Sequence, residues 1–303
     1  MIARLLSAPL LIAVLAVAMG SGIDALVKGT APGTGVMVLV AWRFLFGALI
    51  ATAVFVGLRR KWPAPEVVRF HSLRSLLQVV SAILFFYALT QLALAETIIF
   101  GFTAALMVPF VARVVLGEQI SPTAFVLTLV GFAGAAFAVS VTPDGAAGAH
   151  RVLGLAAVFA SAMIYAVVLV LLRLRAVKED ATTIALFTNG VPALCLVPVL
   201  FGVAGPVEMT DLPVFALLGA MGYAVWYLMT LAYARARAQL LAPLEYTALV
   251  WAAVFGIVFF DEVPGWRVWA GAVLIVASCL GVAFENHFVT RREAGQPASD
   301  LPE

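Results

Sequence analysis

The side chains in this sequence that can do chemistry are few, and most lie inside apolar runs. Arg43 stands in Ala41-Trp42-Arg43-Phe44-Leu45, and Asp24 in Gly22-Ile23-Asp24-Ala25. Glu96 and Glu245 fall near the starts of two related segments. An ionisable group at membrane depth is costly, so each is a functional candidate by default. Arg43 sits roughly 10 Å below one end of its segment by helical rise. A guanidinium at that depth needs a partner. The expectation is a structural pair with Asp24; the other use is to bind a substrate carboxylate. Asp24 and Lys28, four apart on one helical face, form a second candidate pair, or else anchor the helix at the interface. Proton coupling through Asp24 stays open. Glu96 and Glu245 suit the positive end of a helix dipole, Glu245 following Pro243 in a first turn. Glu245 has the further use of meeting a substrate amine or a proton.

Neutral polar and aromatic residues fill out the set. Gln78, Ser81, Thr103, Asn189 and Thr230 can hydrogen-bond a solute or a neighbouring helix. Phe85, Phe86, Tyr87 and Phe100 cluster in the first half, and Tyr223, Trp226, Tyr227, Tyr233, Tyr246 and Trp251 in the second, with Tyr165 between them. An aromatic lining with a few polar groups suits an amphiphilic small solute; the alternative for each ring is packing or an interfacial belt. Trp42, Trp62, Trp266 and Trp269, near segment ends, read as belt residues. Pro109, Pro192 and Pro198 remove backbone hydrogen bonds inside helices, and Pro109 is the hinge candidate. None of this is reaction chemistry. HExxH, GxSxG and GxxxxGK[ST] do not occur, and no Cys/His group has metal-ligand spacing. Cys195 and Cys279 fall in apolar stretches and are expected as small buried hydrophobes. No enzyme activity, cofactor or metal is expected.

The elements that must position these residues follow from composition. The chain has 303 residues, 64% hydrophobic and 11% charged, against about a quarter charged for a soluble domain. Its partner is the lipid bilayer, and a net charge of +2 gives no reason to expect nucleic acid. Runs of roughly 20 apolar residues cross a bilayer. Ten are present, at 5–27, 36–58, 73–94, 97–116, 123–141, 153–172, 183–203, 213–234, 240–260 and 268–288, with short polar turns between them. The tail from 289 to 303 is expected to be disordered.

Lys and Arg sort into alternate loops. Arg4, then Arg59, Arg60, Lys61, Arg69 and Arg74, then Arg113, fall on one side. Arg173, Arg175, Lys178, Arg235, Arg237, Arg291 and Arg292 fall on that side too, while the opposite loops hold only Lys28, Arg151 and Arg267. The positive-inside rule then puts both termini in the cytoplasm, which requires an even number of spans. A cleavable signal ending at Ala16-Val17-Ala18 is the rival for the first span; the apolar run continuing to Val27 argues against it.

The halves resemble each other. Residues 93–118 read ALAETIIFGFTAALMVPFVARVVLGE and residues 236–262 read ARAQLLAPLEYTALVWAAVFGIVFFDE. Glu118 aligns with Glu262, and Thr103-Ala104 with Thr247-Ala248, 144 residues on. Both glutamates are expected to cap the helix that follows. Five spans per half is an odd number, so the second copy, 146–288, is expected upside down relative to the first, 1–145, an arrangement common in secondary transporters.

The ten-span plan, the Ala-x-Ala…Glu stretches closing at Glu118 and Glu262, and Arg43 early in span two resemble the EamA type of the drug/metabolite transporter superfamily. Within it the sequence is most similar to bacterial amino-acid exporters of the YddG kind. The likeness covers residues 5–288, with departures at Leu127, where span ten has Gly271, and at Asp261, where the usual residue is Gly. The resemblance implies an all-α integral membrane fold of ten helices in a 5+5 inverted repeat. It also implies an inner-membrane exporter of amino acids, aromatic ones included, or related small metabolites, working by alternating access. Spans one, three, four, six, eight and nine would line the cavity. A lipid or polyprenyl-carrier flippase on the same fold, or efflux of other metabolites or drugs, is the alternative; a channel has no filter sequence to support it. A monomer is expected, with a homodimer as the other state.

Overall fold

The computed structural model describes residues 8–116, 122–139, 149–176, 178–202, 211–235 and 247–294. Among these residues the chain is helical: α1 (Ala8–Thr34), α2 (Val36–Gly57), α3 (Pro65–Gln91), α4 (Leu94–Gly101), α5 (Thr103–Leu116), α6 (Pro122–Val139), α7 (Ala149–Ala176), α8 (Ala181–Gly202), α9 (Leu212–Arg235), α10 (Thr247–Phe260) and α11 (Trp266–Ala294). Helices α4 and α5 together make span four. Seven helical stretches are long and apolar enough to cross a bilayer, and Phe125–Phe137, Thr247–Phe260 and Trp266–Ser278 are shorter apolar ones. The order matches the ten expected spans. Large apolar side chains such as Val114, Phe201 and Leu194 point outward, as they do where the solvent is lipid.

Several boundaries differ from expectation for identifiable reasons. Helix α1 continues through residues 28–34, expected as a turn, and turns into α2 at Gly35, whose φ of +82° suits a residue without Cβ. Helix α3 starts at Pro65, well before residue 73, with Pro at its first position and Glu66 in its first turn. Span four breaks at Phe102, and α5 runs through Pro109. The hinge candidate Pro109 lies within α5, and at the break Thr103 Oγ1 donates to the Phe100 carbonyl at 2.6 Å. Residues 289–294, expected in a disordered tail, are helical in α11; 295–303 lie outside the described residues.

The helix pairings follow a pattern. Helices α3 and α7 pack together, as do α9 and α1, their counterparts five spans on. The same holds for α2 with α9 and α8 with α3, and for α5 with α7 and α10 with α1. Helices α2 and α8, α4 and α10, and α6 and α11 each pack on their own counterpart. The α6–α11 pair is antiparallel. A Cβ at Gly281 would meet Leu127, one at Gly131 would meet Ser278, and one at Gly134 would stand 2.6 Å from the Leu274 Cβ. Small residues let these backbones approach closely.

Two apolar cores result. One gathers Ile23, Leu39, Phe44, Phe86, Phe215 and Leu218 where α1, α2, α3 and α9 meet. The other gathers Ile99, Phe100, Leu106, Val158 and Ile275.

Candidate functional site

Arg43 is held where α2 passes α9. Gly219 and Gly222, three apart on α9, clear the space. A Cβ at Gly219 would lie 3.0 Å from the Arg43 carbonyl oxygen, and one at Gly222 would lie 3.1 Å from Arg43 Nε and Nη2. The side chain is only 7% exposed. Its guanidinium lies over the rings of Phe44, at 4.6 Å, and Phe86, at 5.6 Å. Ring faces attract a cation but accept none of its N–H groups in a full hydrogen bond. Nε is buried without a hydrogen-bond partner, and so is Nε1 of the adjacent Trp42.

Asp24 on α1 is partly buried and lies within electrostatic reach of Arg43. The ion pairs among the described residues do not include Asp24 with Arg43, nor Asp24 with Lys28. The expected Arg43–Asp24 ion pair and the alternative Asp24–Lys28 pair are therefore both absent among the described residues. Lys28 is drawn off by Glu262, whose Oε1 lies 2.8 Å from its Nζ, and by the Leu92 carbonyl at 2.5 Å. Arg43 is turned into the α2–α9 groove.

One end of the bundle is closed by charge. Glu262, just after α10, takes Lys28 through Oε1 and accepts the Leu94 backbone N–H through Oε2 at 2.8 Å. It therefore caps α4, in the other half of the chain, and not the following α11 as expected. The corresponding Glu118 lies outside the described residues. Beside it, Glu96 in the first turn of α4 is paired with Arg151 of α7 through two bonds, at 2.5 and 3.0 Å. Both side chains are buried, so Arg151 is an interior residue and not a loop charge.

The opposite end carries a second network. Arg74, counted with the loop charges in the sequence, is fully buried ten residues into α3's sequence span. Its Nη2 donates to Thr188 Oγ1 at 2.6 Å, its Nη1 to Gln78 Oε1 at 3.2 Å and its Nε to His71 Nδ1 at 3.4 Å. The other nitrogen of His71 bonds Glu179, which also takes Arg175 at 3.2 Å. Arg60 pairs with Asp180 at 3.2 Å. Sequence reasoning singled out Gln78 and missed Arg74, His71, Thr188 and Glu179. On α3 the spacing of His71, Arg74 and Gln78, successively three and four apart, was the available signal; Thr188 and Glu179 come from elsewhere in the chain.

The other candidates divide. Ser81 exchanges hydrogen bonds with Ser161, joining α3 to α7. Phe100 is fully buried, 5.6 Å from Phe159, and Thr103 is buried at the span-four break. The Ser81, Phe100 and Thr103 side chains are all buried. Tyr87, Tyr165, Trp226 and Trp251 are partly buried, as is Phe85, which meets Phe86 edge-on. Tyr223 and Tyr227 stack at 5.8 Å. Trp42 is not a belt residue; it stacks on Phe215 at 5.7 Å. Cys195, expected buried, is exposed on α8. Glu245 and Tyr246 lie outside the described residues.

Among the described residues no group of His, Cys, Asp or Glu could hold a metal ion. The comparisons agree with the chain's membrane setting. The profile of the EamA-like transporter family matches residues 7–140 and again 152–284. The chain is 25% identical over 287 residues to the pseudopaline exporter CntI of Pseudomonas aeruginosa, covering 93% of this chain and 98% of that one. It is 24% identical to a riboflavin transporter of Brucella anthropi, covering 83% and 89%. It is 22% identical to an S-adenosylmethionine uptake transporter of Rickettsia bellii, covering 81% and 82%. A solved crystal structure superposes with a TM-score of 0.63 at 23% identity, covering 92% of this chain and 98% of that one; it shares the fold. With both halves matched, the chain belongs to the EamA-like transporter family and is a multi-pass membrane protein of the drug/metabolite transporter superfamily.

Proposed function

We propose that this protein is a secondary transporter that exports amino acids, aromatic ones included, or related small metabolites by alternating access. The observation that carries this reading is the pairing of the helices. The most extensive contacts between spans recur five spans on, or fall on a span's own counterpart. Two such halves, 1–145 and 146–288, can exchange conformations and open a central cavity to either side in turn. The family profile matching the chain twice supports the same division.

The Lys28–Glu262 contact joins α1 to the end of α10 and the start of α4. It is suited to close one mouth of the cavity. Charge distribution supports a bacterial inner-membrane location with both termini cytoplasmic, which makes the Lys28 mouth the outer one. The partly buried rings of Phe85, Tyr87, Tyr165, Tyr223, Trp226, Tyr227 and Trp251 suit a solute with an apolar body. The relatives' named cargoes, riboflavin and S-adenosylmethionine, likewise combine a ring system with polar groups.

The test is uptake of labelled amino acids into proteoliposomes holding purified protein, with and without an imposed pH gradient. Saturable uptake is expected, and a response to the gradient would identify proton coupling. Absence of uptake by correctly inserted protein would reject amino-acid transport.

A further inference from the structure

A guanidinium in a membrane protein normally spends its N–H groups on carboxylates, carbonyls or hydroxyls. Arg74 and Arg151 do so here. Arg43 does not. It is more than nine-tenths buried, and its Nε has no hydrogen-bond partner. Its surroundings are two phenyl rings and the bare backbone of Gly222. Leaving a buried donor unmade costs its full desolvation penalty. The cradle therefore has the form of a site awaiting an acceptor. A carboxylate matches the planar fork of Arg bidentately.

Asp24 interacts electrostatically with Arg43 but makes no direct ion pair with it. The two residues come from different helices, α1 and α2, linked by the tight turn at Gly35. An acid and a base that interact without a direct ion pair are two opposite charges that a molecule carrying both charges on one carbon could bridge.

Resting on the transporter reading above, we propose that Arg43 and Asp24 form a two-charge subsite for the head of a zwitterionic solute. Arg43 takes the carboxylate and Asp24 the ammonium. Phe86 packs against the Arg43 side of that head. The two residues are specificity determinants, and the rings elsewhere in the bundle accommodate the body of the solute.

The test is equilibrium binding to purified full-length protein in detergent, run alongside flux in proteoliposomes. The probes are L-phenylalanine, L-phenylalaninamide, which lacks the carboxylate, and 3-phenylpropionate, which lacks the amine. Wild-type protein is expected to bind L-phenylalanine about tenfold or more tighter than either analogue, the scale of one charge-assisted hydrogen-bonded contact. Arg43→Gln should bind L-phenylalanine and its amide equally. Asp24→Asn should no longer separate L-phenylalanine from 3-phenylpropionate. Should Arg43→Gln fail to fold, Arg43→Lys and the wild-type analogue series still decide the matter.

Equal binding of all three probes to wild type, or no binding of L-phenylalanine, overturns the subsite and leaves Arg43 and Asp24 a water-bridged structural pair. Flux of a metabolite that ignores its head group has the same meaning while sparing the transporter reading. The full binding pattern without flux upholds the subsite and rejects that reading.

Discussion

The Leu94 backbone N–H donates to Glu262 Oε2 at 2.8 Å across 168 residues of sequence. One carboxylate thus satisfies the first amide of α4 and neutralises Lys28 on α1. It sits at the positive end of the α4 dipole, where a negative charge is favoured. Three segments that a rocking motion would separate are tied at one point.

Replacing Glu262 should separate the cap from the ion pair. Glu262→Ala removes both and is expected to cost about 1–3 kcal/mol, the range of a lost cap together with an unpaired partner. Glu262→Gln keeps a carbonyl acceptor for Leu94 and should cost less. Thermal melting in detergent reads both. Equal losses would assign the whole effect to Lys28. If the contact closes a mouth of the cavity, a cysteine placed beside Leu92 should also label faster with a membrane-impermeant maleimide in Glu262→Ala.

The Glu96–Arg151 pair predicts a different pattern. Both side chains are under 10% exposed and share two bonds. Removing one partner from a buried pair strands the other charge and typically costs about 3–5 kcal/mol. Glu96→Leu and Arg151→Met should each be strongly destabilising, and the double variant should recover much of the loss. Additive losses in a double-mutant cycle would mean that the two side chains act separately.

The spans were legible because twenty apolar residues in a row have few alternatives to a membrane helix. The polar residues were harder to place. Arg74 and Arg69 look alike in sequence, both in a basic stretch ahead of an apolar run, yet Arg74 is fully buried and Arg69 is exposed. The difference is that α3 begins at Pro65, which puts Arg74 on the face that meets Thr188 of α8. Glu262 was recognised as a cap, but the helix it caps is remote in sequence, and no local rule identifies it. Asp24, Lys28 and Arg43 were paired by sequence proximity; the fold gives Lys28 to Glu262 and buries Arg43 against Phe44, Phe86 and Gly222. Local spacing finds groups that can interact and does not rank partners arriving from the other half of the chain.

Arg74 provides a test of geometry against charge. Its three nitrogens each meet a different acceptor, Thr188, Gln78 and His71. A Lys ammonium is a point charge on a flexible stem and cannot reproduce that fork. Arg74→Lys should therefore lower the melting temperature despite keeping its charge. Thr188→Val, nearly the same size, should cost about 1–3 kcal/mol by stranding one N–H. Wild-type stability in both would show that the network is dispensable.

The contact between α6 and α11 explains one departure between the halves. Span ten has Gly271 where span five has Leu127. In the antiparallel pair Leu127 fills the space over Gly281, where an added Cβ would stand 2.8 Å from its Cδ1. Gly271 instead brings its backbone to Gly134, where an added Cβ would lie 3.1 Å from the Gly271 carbonyl oxygen. One interface is thus filled by a side chain and the other by close backbones. Overpacking such a contact costs about 1–3 kcal/mol, so Gly281→Ala and Gly134→Ala should both lower the melting temperature. Gly190→Ala on α8, where an added Cβ meets nothing within 4 Å, should be neutral or gain up to about 1 kcal/mol from helix propensity. The rescue distinguishes the two interfaces. Leu127→Ala should restore stability to Gly281→Ala, because a flexible side chain is the obstacle there. It should leave Gly134→Ala as unstable as before, because the obstacles to that methyl are the Leu274 Cβ and the Gly271 backbone, which Leu127→Ala does not relieve. Rescue of both, or of neither, would mean that α6 and α11 pack in a different register.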